Sequence, residues 1–279
     1  MGKENLQIIK SSGEKVHFSL PKLKASLRRS GADEATVNTI MGKVRDEWYQ
    51  DITTNEIYNR AYALLKKSKP IYASKYKLKK AIFELGPTGF PFERFISALL
   101  KYSGYETLVG QIVQGNCVEH EVDVIAKMNE EYIIAECKFR SDSSNVCNVK
   151  VPLYIHSRYK DIVDHFSNQD EAPNQGWVVT NTRFTKDALE YGRCAGLYML
   201  SWSYPRDNGI KDRIDRLGLY PLTVSTLLTA REKQFLLSRD VVLCRQLLSN
   251  TFFLDHLGVS NSRKTKILNE IKMLCQPIQ

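Results

Sequence analysis

No window of the 279 residues holds 18 consecutive apolar side chains, and the first 30 residues carry lysines and arginines with no apolar stretch between them. Neither a membrane-spanning helix nor a secretory leader is expected. Histidine is scarce, and the 6 cysteines (Cys117, Cys137, Cys147, Cys194, Cys244 and Cys275) include no CxxC pair and no histidine at zinc-ligand spacing. That argues against a structural zinc site and a disulfide framework, and for a reducing, cytoplasmic compartment. Low-complexity tracts and long internal repeats are absent as well. What remains is 43% hydrophobic and 25% charged, an ordinary balance for a chain that buries a core.

The length predicts two or three compact units. The net charge of +9 is unevenly spread: residues 1–85 carry +8, residues 86–205 carry −4, and residues 206–279 carry +5. Basic flanks suit phosphate-bearing partners, and an acidic centre suits a cation or a solvated surface.

Leu6 to Lys10 and Lys15 to Phe18 read as a short hairpin across Ser11-Ser12-Gly13-Glu14. Helices are predicted from Ser19 to near Gly31, Asp33 to Trp48, Thr54 to Lys67 with Thr54 as cap, and Ser74 to Leu85, with Pro70 breaking the pattern. Gly86-Pro87-Thr88-Gly89 reads as a linker. After it, Phe92, Phe95, Ile96, Leu99 and Leu100 recur at helical spacing up to Gly104. Strands are predicted at Glu106 to Val113, Glu121 to Ala126, Glu131 to Lys138, Gly176 to Thr180 and Gly196 to Trp202, with helices at Tyr154 to Phe166 and Thr185 to Cys194. An antiparallel meander followed by alternating strands and helices predicts an α/β fold around a mixed sheet. From Arg206 the pattern is helical, with helices at 229–237, 240–248 and 260–275. The expected units are therefore 1–85, 86–205 and 206–279.

The strongest chemistry lies in Glu121-Val122-Asp123-Val124-Ile125-Ala126 and Tyr132-Ile133-Ile134-Ala135-Glu136-Cys137-Lys138. With Asn129-Glu130 as a two-residue turn, Met128 faces Glu131 and Asp123 faces Glu136. Lys138 then shares Glu136's face, and Cys137 points into the packed side. Facing carboxylates repel, so a positive charge should lie between them. Mg²⁺ or Mn²⁺ supplies it and can also hold a phosphate oxygen, while Lys138 orients or deprotonates the attacking water. Alone, the spacing is loose and equally describes a hydrated hairpin.

The context adds to it. Phe90-Pro91-Phe92-Glu93-Arg94-Phe95, Gly104-Tyr105-Glu106, Asp123, Glu136-x-Lys138, Trp177-Val178-Val179-Thr180 and Leu200-Ser201-Trp202 together resemble the PD-(D/E)xK nucleases, specifically Mrr-like restriction endonucleases, over residues 88–204. The resemblance implies a restriction-endonuclease-like mixed sheet flanked by helices. It also implies a catalytic set of Asp123, Glu136 and Lys138, with Asp123 and Glu136 as metal ligands and Glu93 as an additional acid that helps to place metal or lysine. His120 reads as an exposed loop residue.

In residues 5–85, Ile8-Ile9-Lys10-x-x-Gly13, Val16-x-Phe18-Ser19-x-x-Lys22-Leu23, Ile52-Thr53-Thr54-x-x-Ile57 and Lys79-Lys80-Ala81-Ile82-Phe83 resemble the ATP-cone, a mainly helical nucleotide-sensing domain. The resemblance implies that Lys10 and Lys22 contact phosphates, that Ser19 and Thr54 sit at helix starts near the nucleotide, and that Lys79 reaches the phosphate end. Ser11 stands where that family usually has a basic residue. Near the other end, Leu254 to Ser260 running into Arg263-Lys264-x-Lys266 loosely resembles a helix-hairpin-helix that holds a DNA backbone; a packing cap is the alternative.

The function expected from these resemblances is a Mg²⁺- or Mn²⁺-dependent endodeoxyribonuclease with ATP or dATP as effector. The alternative is a catalytically silent, nucleotide-responsive DNA-binding regulator. The expected partners are DNA and an adenine nucleotide, with no membrane and with homo-oligomer formation left open.

Overall fold

A computed structural model of the chain describes residues 7–10, 13–47, 49–167 and 171–276. Leu6, Ser11, Ser12 and Trp48, all named above, lie outside them. The architecture is mixed α/β with two mixed sheets. Among the described residues no helix is long and apolar enough to cross a membrane.

The first sheet is small. Strand β1 (Gln7–Ile9) pairs antiparallel with β2 (Lys15–His17), and β3 (Ile52–Thr53) adds parallel on the other side of β1. Five helices follow or interleave: α1 (Leu20–Arg29), α2 (Glu34–Asp46), α3 (Thr54–Ser68), α4 (Pro70–Tyr76) and α5 (Leu78–Phe83). Asp33 caps α2 by accepting from the Thr36 amide at 2.8 Å. Helix α3 is capped by Thr53, which accepts from the Glu56 amide; Thr54, the expected cap, is the first helical residue. Helix α3 ends before Pro70, as expected, and Pro70 itself opens the next helix, because its fixed φ and missing N–H suit a first turn. The single helix expected over Ser74 to Leu85 is thus two short ones that meet at Lys77. Ile8, Leu27, Val37, Ile40, Ile52, Ile57, Ala61 and Leu65 bury together as the core of this part.

The second sheet has the order β4-β5-β6-β7-β8. Its first three strands, β4 (Glu106–Gln114), β5 (Glu119–Met128) and β6 (Glu131–Lys138), form the expected antiparallel meander, and β7 (Gln175–Thr180) and β8 (Tyr198–Leu200) continue parallel to β6. Helix α6 (Phe90–Lys101) precedes β4, while α7 (Lys150–His165) and α8 (Lys186–Cys194) serve the parallel crossovers. Alternation along the strands puts Val124, Ala135, Cys137 and Val179 in one core with Phe92, Phe95 and Ile96 of α6. Ile125, Ile134 and Ile162 form the opposite layer against α7. Helices therefore cover both faces of the sheet.

The remainder is α9 (Ile210–Leu217), a 3₁₀ turn (Leu222–Val224), α10 (Ala230–Leu237), α11 (Cys244–Ser249), α12 (Phe252–His256) and α13 (Asn261–Leu274). The helix expected from Asp240 starts only at Cys244, because Asp240 itself adopts a left-handed φ of 63°. Side chains of these helices share the α6-side core, and so do Leu78, Ile82 and Leu85. A polar knot adds to that junction. Glu270 of α13 accepts from the Ser74 hydroxyl at 2.8 Å, from the Thr226 amide and hydroxyl, and from the Ser225 hydroxyl.

Candidate functional site

The expected hairpin register holds from Met128↔Glu131 to Val124↔Ala135, with Asn129 at a positive φ of 53° in the turn. The ladder stops there, one residue short of the expected Asp123–Glu136 pair. In its place the Asp123 carboxylate reaches across and accepts from the Cys137 amide at 2.6 Å, taking the position of a main-chain acceptor. The cause lies on the other edge of β5. Val122 and Ile125 both pack on the α7 side, a spacing that strict alternation forbids, so the strand is kinked between them. Asp123 sits there, opposite Gly110, whose left-handed φ of +62° favours glycine. Asp123 therefore stands in mid-strand where the β5–β6 pairing ends, beside Glu136 and Lys138 of β6.

Glu136 is 8% exposed and carries two cations. Lys138 Nζ donates to one of its oxygens at 2.5 Å, and Arg158 Nη1 donates to the other at 2.7 Å. The second Arg158 nitrogen donates to the Glu121 carbonyl, and its guanidinium lies 5.5 Å from the Tyr154 ring centroid. The positive charge that the facing acids call for is thus partly supplied by the protein. The sequence reading passed over Arg158, although a cation among Ile155, Tyr159 and Ile162 of α7 signals a buried acid to be matched.

Asp123 and Glu93 have no such partner. Burial, then the neighbouring Glu136, pushes the Asp123 carboxyl up to about 6, against the pull of the Cys137 amide and Lys138. Glu93, in the first turn of α6, is pushed up to about 7 by burial, then by Asp123, Glu121 and Glu136. A helix start favours a negative side chain, so desolvation outweighs the dipole here. Among the described residues Glu93 makes no side-chain hydrogen bond or ion pair. The structure therefore brings Asp123, Glu136, Lys138 and Glu93 into one cluster.

Among the described residues no group of three or more His, Cys, Asp and Glu forms a metal cage. A magnesium ion needs none: it is held by one or two carboxylates, keeps several waters and completes its shell with substrate phosphate. Asp123, which has no cation partner and resists ionisation, together with the neighbouring Glu136 fits that donor set.

His120 is a strand residue, not the exposed loop residue expected. Its Nε2 bonds Asp161 of α7 at 2.7 Å, and Asp161 also accepts from the amides of Cys117 and Val118. The His120 contact, then Cys117, holds the Asp161 carboxyl down to about 2. This cluster pins the β4–β5 turn to α7.

The residues expected around a nucleotide are divided. Thr54 and Lys79 line one cavity of about 540 Å³, formed by the first turns of α3, by α5 and by Ser141, Asp142 and Ser143 beyond β6. Lys10 is exposed and paired with Glu14 at 2.8 Å. Ser19 is the residue before α1, its hydroxyl making no capping bond, and Lys22 lies exposed on α1. These three do not line that cavity. In the C-terminal part, α12 and α13 flank Gly258 in the segment that resembles a helix-hairpin-helix, but Arg263 is held by Glu232 and the Leu227 carbonyl, and Lys264 by Asp255 at 2.6 Å. Two of the three cations expected to face a DNA backbone are thus engaged internally.

Residues 220–275 match the family model described as AF1548-like, C-terminal. An uncharacterized protein of Archaeoglobus fulgidus is 33% identical over 181 residues, which are 63% of this chain and 98% of that protein. A crystal structure of a protein of unknown function, AF1548, superposes with a TM-score of 0.56 at 31% identity, covering 67% of this chain and 98% of that one.

Proposed function

The chain belongs to the AF1548-like family, and from its carboxylate cluster we propose that it is a metal-dependent endodeoxyribonuclease with a PD-(D/E)xK catalytic set on a restriction-endonuclease-like sheet. One observation carries this reading. Asp123 and Glu93 are half-buried acids held out of their ordinary range, beside Lys138 and where the β5–β6 pairing ends, and that is an expensive arrangement for a fold to keep without a use.

Asp123 and Glu136 would hold a Mg²⁺ or Mn²⁺ ion, with Glu93 behind them. Bound there, the ion would polarise a phosphodiester oxygen and lower the pKa of the attacking water. The remaining roles belong to the chain. Lys138 orients the nucleophile and offsets charge that develops on the phosphoryl oxygens. Arg158 fixes the Glu136 carboxylate and, through the Glu121 carbonyl, ties it to β5. Cys137 fixes Asp123 through its amide. The basic N-terminal part would bind ATP or dATP as an effector.

The second reading, a catalytically silent DNA-binding regulator, draws on the charge already supplied to Glu136 by Lys138 and Arg158. One assay separates the two. Plasmid, linear and single-stranded DNA, and RNA, are incubated with Mg²⁺, Mn²⁺ or EDTA, beside the Asp123→Ala and Lys138→Ala variants. Cleavage that needs metal and both residues supports the nuclease. DNA binding without cleavage under every condition leaves the regulator.

A further inference from the structure

Two large aromatic side chains are exposed beside the carboxylate cluster. Tyr154 of α7 is 59% exposed, and Phe90, the first residue of α6, is 54% exposed. An isolated apolar side chain on a surface needs no explanation, but these two share their surroundings. Tyr154 lies one helical turn before Arg158, whose guanidinium sits 5.5 Å from its ring centroid while holding Glu136 at 2.7 Å. Phe90 follows Gly89, and a Cβ on that glycine would come within 2.9 Å of Glu93 Oε1, so the Glu93 carboxylate leans back towards the start of α6. Helix α6 packs on one face of the sheet and α7 on the other. Each ring is therefore tied to one acid, and both acids press on Asp123.

The charges nearby are an independent observation. Lys150 precedes Tyr154 by one turn, so Lys150, Tyr154 and Arg158 follow one another along a single stripe of α7. Lys150 is exposed, and among the described residues it forms no ion pair. Arg140, two residues beyond Lys138, forms none there either, and its Nε is buried without a hydrogen-bond partner. A guanidinium N–H in that state is costly until an acceptor arrives. Free cations interleaved with exposed rings match a polyanion that also offers flat apolar faces.

A duplex does not offer those faces, because its bases are stacked on one another and show only their edges in the grooves. An unpaired strand does. We propose that nucleic acid crosses this cluster as an unpaired strand, with one base stacked on Tyr154, another on Phe90, and the phosphates between them over Asp123 and Glu136. Lys150 and Arg140 take flanking phosphates. Every base has a face to stack, so the path selects for the absence of pairing and not for sequence. Tyr154 and Phe90 are positioning residues, which hold the strand where the acids and Lys138 can act on it. The place of the scissile phosphate rests on the nuclease reading; the strand path does not.

Binding is measured with the full-length protein in EDTA, where the nuclease reading allows no cleavage, on a 12-nucleotide single-stranded DNA, its duplex and the RNA of the same sequence. The single-stranded DNA should bind about tenfold more tightly than the duplex, and 2-aminopurine placed along it should be quenched on binding. Tyr154→Ala should weaken the single strand about tenfold or more, abolish the quenching and leave duplex binding within twofold, with far-ultraviolet dichroism unchanged. Tyr154→Phe should restore affinity to within threefold, and Phe90→Ala should cost a smaller factor than Tyr154→Ala. Lys150→Gln should weaken both forms and lower the salt slope by about one. In Mg²⁺ the Tyr154→Ala loss on single strands should fall mainly on KM. A duplex bound as tightly as the single strand, or Tyr154→Ala within twofold of wild type on the single strand, overturns the proposal, and metal-dependent cleavage of duplex in that case keeps the nuclease. Binding and quenching as described, with no nucleic acid cut in Mg²⁺ or Mn²⁺, support the strand path and refute the nuclease. RNA bound with the same Tyr154 dependence and cut in place of DNA supports the path and makes the enzyme a ribonuclease.

Discussion

The acid at Glu270 and the acids at Asp123 and Glu93 are built on opposite rules. Glu270 is surrounded by donors from Ser74, Ser225 and Thr226, and its lone pairs are spent holding α13 to α4 and to the segment after the 3₁₀ turn. Asp123 and Glu93 sit among other carboxylates, have one strong main-chain donor between them, and resist ionisation. A satisfied buried acid is a joint. An unsatisfied one is kept for something that arrives later, and the stability it costs marks the site more clearly than its position in a motif.

The contrast is tested most severely by catalysis. Lys138→Ala and Asp123→Ala should each lower the rate of plasmid cleavage in Mg²⁺ by 10³-fold or more, about 4 kcal/mol in the barrier, with far-ultraviolet dichroism unchanged. Full cleavage by the Lys138 variant would remove the mechanism. At the other centre the loss should be structural. Glu270→Ala strands three hydroxyls and an amide in a buried junction at roughly 1 kcal/mol each, about 4 kcal/mol together, and should lower Tm by roughly 8–12 °C. Per folded molecule its cleavage rate should match wild type. A Tm within 2 °C of wild type would show that Glu270 is no joint.

Arg158 links the two behaviours, since it satisfies Glu136 inside an otherwise unsatisfied cluster. Arg158→Ala frees one carboxylate oxygen and releases the Glu121 carbonyl. Cleavage should fall about 10- to 100-fold at saturating substrate, the size usual for a residue that orients a ligand. Arg158→Lys should recover only part of it, because one ammonium cannot bridge two acceptors as a fork does. Equal rates in wild type and Arg158→Ala would restrict the arginine to packing.

Much of this was legible in the chain. Alternating strands with Asn129 in the turn fixed the β5–β6 register, and that register brought Asp123, Glu136 and Lys138 together before any coordinates. Legibility ended where tertiary contacts override local pattern. Nothing near Asp123 in sequence announces that the ladder stops short of Glu136 and leaves the Asp123 carboxylate to take the Cys137 amide. Arg158 follows Glu136 by 22 residues and meets it only because α7 packs on that face. Pro70 was legible as the stop of α3 and not as the start of α4, because proline ends helices more visibly than it starts them, and Asp240 looked helical because a left-handed aspartate leaves no trace in apolar spacing.

The smallest effect is the most specific to the comparison. Asp123 and Glu93 are raised above their ordinary values, to about 6 and about 7, so their protonated forms are favoured by folding. Their contribution to stability is present below the unfolded value near 4 and is lost as pH rises through 6 and 7. Above pH 7 both are ionised at a cost to the fold. Asp123→Asn removes one such charge at almost constant shape, so without metal it should be more stable than wild type at pH 8. The shift sets a ceiling of about 3 kcal/mol, and screening by water at this partly open site leaves roughly 1, or about 2 °C in Tm. At pH 4 the two proteins should melt together, because the wild-type carboxyl is then protonated as well. Excess Mg²⁺ at pH 8 should raise the wild type and leave Asp123→Asn nearly unmoved, since only the former gains a ligand for the ion. Glu270→Gln, which loses acceptors without relieving any crowding, should be destabilised at pH 8. If Asp123→Asn gains nothing at pH 8, or keeps its gain at pH 4, the crowding of charge where the β5–β6 pairing ends is not what distinguishes this centre from the joint at Glu270.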